Sequence, residues 1–84
     1  TTMLVIGEIP HPACKITLFS WNAKYLIKLE RGLIEQTFKV PELEVTGDDD
    51  IKEMLKGDFL QEALRRFDEM DDSLGQALAK VNDY

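Results

Sequence analysis

Glu8, His11 and Cys14 are the residues whose types and spacing come closest to a reactive or metal-binding group. Each is three residues from the next, and together they could form a Cys-His pair or hold a metal ion. A lone histidine and a lone cysteine cannot close a four-ligand site within one chain. In extended backbone they would also project to opposite faces. We therefore interpret Cys14 as a small core residue and His11 as a loop side chain.

Two groups of aspartates could in principle be calcium ligands, one at 48–50 and the other at 68, 71 and 72. A calcium loop needs alternating oxygen ligands, a glycine at position six and a glutamate at position twelve. Counted from Asp48, these positions hold Glu53 and Phe59, and counted from Asp68 the sixth position holds Ser73. The aspartates are better explained as negative charges that stabilise the N-terminus of a helix, or as part of a solvated surface.

The glycines exclude a further class of site. None of the five has another within six residues, so neither a Walker loop nor a dinucleotide-binding fingerprint can be built. Because no acid, base, nucleophile or ligand set is visible, we expect no catalytic residue, no cofactor and no metal, and we do not expect an enzyme.

The elements that would position any site begin with a predicted three-stranded antiparallel meander. Its strands alternate apolar and polar residues and are rich in β-branched and aromatic types. The loops Asn22-Ala23 and Arg31-Gly32 separate them, each of hairpin length. The predicted strands are 13–21, 24–30 and 33–40.

The predicted register places apolar side chains together on one face of the sheet. The apolar pairs are Leu18 with Ile27, Ile16 with Leu29, Leu29 with Ile34, and Tyr25 with Phe38. On the other face opposite charges meet, in the pairs Lys15–Glu30 and Lys28–Glu35. A shift of one residue in the pairing of the strands would destroy both the apolar pairs and the charge pairs.

A fourth, edge strand is predicted at residues 3–6 and would end at Gly7 and the segment Pro10-His11-Pro12. Proline has no backbone N–H to donate to a β-ladder, and it biases the residue before it towards extended backbone. Thr1-Thr2 precedes Met3, which could be the native start; the sequence leaves open whether Thr1-Thr2 is native.

The predicted outer face of the sheet carries a candidate interaction patch. Phe19, Trp21 and Leu26 lie near one another there, with Lys24 and Lys28 beside them. Aromatics among lysines can stack the bases of a single-stranded nucleic acid. The patch could instead be covered by the long helix or a second subunit, or remain half-exposed.

The C-terminal half predicts a short helix and then a long one. Asp58 and Gln61 have capping-box spacing and open the long helix, which would run to about Asn82. Apolar residues recur at 3-4 spacing along it: Leu60, Ala63, Phe67, Met70, Leu74, Ala77 and Val81. This seam favours one unbroken helix, whereas Asp71-Asp72-Ser73 and Gly75 would allow a break. From Phe67 to Val81, we interpret the seam as an association surface.

The net charge of −6 lies entirely in the C-terminal half. Residues 1–45 hold five acidic and five basic side chains, whereas residues 46–84 hold eleven and five. Such a field repels phosphate, so nucleic acid and an anionic membrane are not the expected partners. With one cysteine, no leader and no apolar run longer than four residues, we expect a soluble cytoplasmic protein.

These observations predict a single α+β domain over residues 1–84: a meander of three or four strands (1–45) and an acidic helical half (46–84). The inner sheet face would pack on the helices through Phe59, Leu60, Leu64 and Phe67. The sheet residues of that face would be Cys14, Ile16, Leu18, Ile27, Leu29, Ile34 and Phe38. We expect a non-catalytic interaction or assembly module that binds itself or another protein through the C-terminal helix or outer sheet face. The alternative is a single-stranded nucleic-acid binder.

Overall fold

The computed structural model describes residues 3–82 and has a four-stranded antiparallel sheet followed by two helices. The predicted α+β class is confirmed, and Thr1-Thr2 lies outside the described residues. The strands pair in chain order, and a 3-10 turn precedes the helices. The bounds are β1 Leu4–Ile9, β2 Lys15–Trp21, β3 Lys24–Arg31, β4 Ile34–Pro41, the turn Glu42–Glu44, α1 Asp48–Met54 and α2 Asp58–Asn82.

The β2–β3 hairpin has the predicted register. Leu18 lies opposite Ile27 and Ile16 opposite Leu29, with Asn22-Ala23 as the loop. Both loop residues have positive φ, +54° at asparagine and +59° at alanine, as a type I′ turn requires. Asparagine tolerates this region, whereas alanine is strained in it. The pairing of the two strands therefore determines the turn.

The predicted register of the β3–β4 hairpin is wrong by two residues. Its loop is Gly32-Leu33 instead of Arg31-Gly32. Gly32 has a φ of +61° and Leu33 has no positive φ, which fits a type II′ turn with glycine at its first central position. A two-residue shift leaves every side chain on its predicted face, because side chains alternate with period two. The corrected partners are Leu29 with Gln36, Tyr25 with Val40, Ile27 with Phe38, and Lys28 with Thr37.

The first strand, β1, extends further than predicted. Gly7 does not end it, because the strand continues to Ile9. The pairing with β2 shifts between Val5 and Gly7, so a bulge at Ile6 absorbs the irregularity. The strand ends before Pro10, where the missing backbone N–H was expected to end it.

The helices cover one face of the sheet, the inner face, and the predicted contacts of that face are confirmed. Phe67 and Leu60 are buried in the core, and Phe59 and Leu64 pack against it. The buried core consists of Cys14, Ile16, Leu18, Ile27, Leu29, Ile51, Leu55, Leu60, Ala63 and Phe67.

Helix α2 is continuous over 25 residues. It passes through Asp71-Asp72-Ser73 and Gly75 without a break, so the continuous alternative is confirmed and the broken one is wrong. At 1.5 Å per residue such a helix is about 37 Å long, more than the width of a four-stranded sheet. The chain is accordingly elongated, 53 Å in its longest dimension and 20 Å in its shortest.

Candidate functional site

The last three turns of α2, residues 71–82, form the most exposed segment of regular structure and are here called the helix overhang. Every one of these residues is exposed, whereas Leu60, Ala63 and Phe67 in the earlier turns of the same helix are buried. The large apolar side chains of the overhang keep 36% (Leu74), 47% (Leu78) and 73% (Val81) of their surface exposed. An amphipathic helix therefore continues past the surface that covers its apolar side.

The structure divides the predicted association seam into a covered and an uncovered part. Phe67 is fully buried in the core of its own chain, and Met70 is half-buried against that core. Leu74, Ala77 and Val81 lie in the helix overhang. Leu78, four residues after Leu74 and therefore on the same side of the helix, is exposed with them.

Arg31 fixes the point at which α2 leaves the sheet. Its guanidinium donates hydrogen bonds to Asp68 at 3.0 Å and to Asp71 at 2.9 Å. The same group lies 5.1 Å from the ring centroid of Phe67, a cation–π distance. The hydrogen bond to Asp71, followed by that to Asp68, raises the pKa of the Arg31 guanidinium further. The sequence placed Arg31 in a loop, and no local pattern links it to partners 37 and 40 residues away.

A second polar link joins α2 to β4. The side chain of Gln36 donates to the carbonyl oxygen of Ala63 at 2.8 Å and accepts from Arg66 at 3.2 Å. Together with Arg31, it fixes the orientation of the helix on the sheet. The direction of the helix overhang is thus set by contacts at its base.

The predicted interaction patch does lie together on the outer face. Phe19 is directly opposite Leu26, and Trp21 is directly opposite Lys24. The neighbouring side chains cover much of it, since Leu26 keeps only 5% of its surface exposed and the two aromatics are half-buried. The outer face therefore exposes only part of the Phe19 and Trp21 rings, and it is not an open platform on which bases could stack.

The lysines of the outer face are mostly engaged. Lys28 lies 3.4 Å from Glu35 and 3.9 Å from Glu30, and Lys15 lies 3.5 Å from Glu8. The ammonium of Lys39 lies 5.9 Å from the Trp21 ring centroid. Lys15 is opposite Glu30 in the ladder as predicted, but its ion pair is with Glu8. Few of these cations are free to bind phosphate.

Glu8, His11 and Cys14 line one open pocket of about 530 Å³. The backbone N–H of Ala13 donates to Nδ1 of His11 at 3.0 Å, which occupies the nitrogen that a base would use. Burial raises the pKa of the Cys14 thiol, and the charge of Arg31 offsets this only in part. The thiol is therefore not activated as a nucleophile. Across residues 3–82, no three His, Cys, Asp or Glu side chains lie where they could share a metal ion.

Comparison of the chain with protein-family models, curated proteins and solved structures found no match. Neither helix in the described part of the chain has the length and apolar character needed to cross a membrane.

Proposed function

We propose that this chain is an assembly module without catalytic activity, which forms a homodimer through its helix overhang. The observation that carries the proposal is the uncovered apolar stripe of residues 71–82 on an otherwise regular helix. A helical segment of this length is only marginally stable in water without packing against its apolar face. A second helix would supply that packing.

A second copy fits the stripe in an antiparallel arrangement. In a parallel pair the two sheets would collide, because each sheet covers the apolar side of its own helix between Leu60 and Phe67. An antiparallel pair centred between Gly75 and Gln76 places the sheets at opposite ends. Leu74 then faces the partner's Ala77, and Met70 faces the partner's Val81. Large residues would meet smaller ones across a symmetric interface.

The size of this interface sets the expected affinity. The helix overhang is about 18 Å long at 1.5 Å per residue. Two such segments bury less surface than the standard interface of about 1,600 Å². Small interfaces are typical of weak, transient complexes, and we expect a dissociation constant on the order of tens to hundreds of micromolar. The dimer would thus form and dissociate as the local concentration of the chain changes.

Two matched variants test the proposal. Leu78→Glu places a charge on the stripe, whereas Gln76→Glu places the same charge on the opposite side of the helix. Both positions are exposed in the single chain, so neither change disturbs the core. Light scattering across a dilution series should show at least about tenfold weaker dimerisation for Leu78→Glu and little change for Gln76→Glu. Equal effects of the two variants, or a wild-type chain that is monomeric at about 0.5 mM, would refute the proposal.

A further inference from the structure

The two edges of the sheet differ in how well they are protected against pairing with another strand. β4 carries Glu35 and Lys39 on its outer face and ends at Pro41, all features that discourage edge pairing. β1 carries one charge, Glu8, contains no proline and is interrupted by the bulge at Ile6, past which its pairing with β2 is regular. Leu4 and Val5 keep 62% and 65% of their surface exposed. β1 is therefore the edge more open to an added strand.

A groove of about 610 Å³ lies between the end of β1 and helix α1, and is here called the β1–α1 groove. Its apolar lining includes Ile9 and Leu55, which pack on the core beneath. Past the bulge, β1 pairs regularly with β2 from Gly7 to Ile9, so the backbone beside the groove is extended. An extended peptide can add to such an edge and place alternate side chains in the groove beside it.

The charge of the β1–α1 groove defines the peptide that it fits. Four carboxylates line it against two lysines, Lys52 and Lys56. Lys56 pairs with Glu53 at 3.0 Å, and Glu8 pairs with Lys15. Among residues 3–82, no basic side chain forms an ion pair with the remaining two carboxylates, which belong to Asp49 and Asp50.

The Asp50 carboxylate is held in its charged form. The backbone N–H and the hydroxyl of Thr46 donate to it at 2.8 and 2.9 Å. These hydrogen bonds lower the pKa of Asp50, because they favour the ionised carboxylate. The groove is therefore acidic at neutral pH.

We infer that the edge of β1 and the β1–α1 groove bind a basic, extended segment of a partner protein. Alternate lysine or arginine side chains lay their aliphatic stems on Ile9 and Leu55 and direct their charges to Asp49 and Asp50. The intervening apolar side chains continue the outer-face row of Val5, Phe19 and Leu26, which lie opposite one another across three strands. This site is separate from the helix overhang and does not depend on it.

A second copy of β1 is a poorer occupant of the same edge. The segment Leu4–Ile9 contains one acidic residue and no basic one. Pairing two copies would place acidic grooves close together, and neither strand could neutralise the other. Charge complementarity therefore favours a different, basic chain.

The test uses a fluorescein-labelled heptapeptide of alternating lysine and valine, with a glutamate–valine peptide of the same length as its counterpart. Fluorescence anisotropy should show saturable binding of the lysine peptide to the whole chain, and at least about tenfold weaker binding of the glutamate peptide. A lysine peptide with methylated backbone amides at its central residues has the same charge, but it lacks the backbone N–H groups needed to pair with the edge of β1. Its binding should also fall about tenfold or more.

Two protein variants locate the site. Asp49→Lys and Asp72→Lys change the net charge equally, but only Asp49 lines the groove. The first should weaken peptide binding about five- to tenfold, and the second should leave it nearly unchanged. Leu78→Glu should bind the peptide as the wild type does.

Three results would overturn the inference. The first is equal binding of the N-methylated and unmodified peptides, which would indicate charge attraction alone. The second is an equal effect of the two aspartate variants. The third is amide-exchange protection of β1 that rises with protein concentration alone, which would assign the edge to a second copy.

Discussion

At the residue scale, Arg31 connects the end of β3 to helix α2 at the base of the helix overhang. It contacts two carboxylates and one aromatic ring of α2, where the helix passes beyond the sheet. It is also the residue whose role was least predictable, because its partners are distant in sequence. The register shift explains part of that failure: Arg31 is the last residue of β3 and lies opposite Ile34, instead of belonging to the loop.

Trp21 provides the test that separates assembly from nucleic-acid binding. It is the only tryptophan, and bases that stack on it would quench its fluorescence. We expect no saturable quenching by oligo-dT or oligo-U at about 20 mM salt, because Lys28 is in an ion pair, Lys39 lies over the Trp21 ring and the chain is acidic. Free tryptophan amide provides the control for optical artefacts. Saturable quenching that weakens steeply with salt would instead favour a single-stranded nucleic-acid binder.

At the element scale, the strands and their faces were predictable but the second loop was not assigned correctly. Alternation of apolar and polar residues determines which face a side chain occupies, and a slip of one residue would violate it. A slip of two residues violates nothing in that pattern. The distinguishing signal was Gly32, since a two-residue loop with glycine first matches a type II′ turn.

Gly32→Ala tests the corrected loop. An alanine at a φ of +61° is strained, so the free energy of unfolding should fall by about 1–2 kcal/mol. Leu33→Ala is the matched control, because Leu33 is 87% exposed and has no positive φ. Urea denaturation monitored by circular dichroism measures both. A loss of stability for Leu33→Ala as large as for Gly32→Ala would contradict the type II′ assignment.

At the scale of the whole molecule, the length of α2 relative to the sheet is the central feature. The 3-4 spacing predicted a continuous helix and a seam, and the helix is confirmed. The spacing could not predict where along the seam the sheet would stop covering it. Phe67 and Leu74 occupy equivalent positions one heptad apart, yet the first is fully buried and the second 36% exposed. That difference depends on tertiary packing near Arg31, which no helical period encodes.

Amide hydrogen exchange of the helix overhang at two protein concentrations tests the central claim most directly. Protection of residues 74–82 should increase markedly between about 20 µM and about 1 mM, as a second copy covers the stripe. Protection of the central strands β2 and β3 should stay constant, because their packing lies within one chain. If residues 74–82 exchange equally fast at both concentrations, the overhang does not pair with a second copy and the proposed function is wrong.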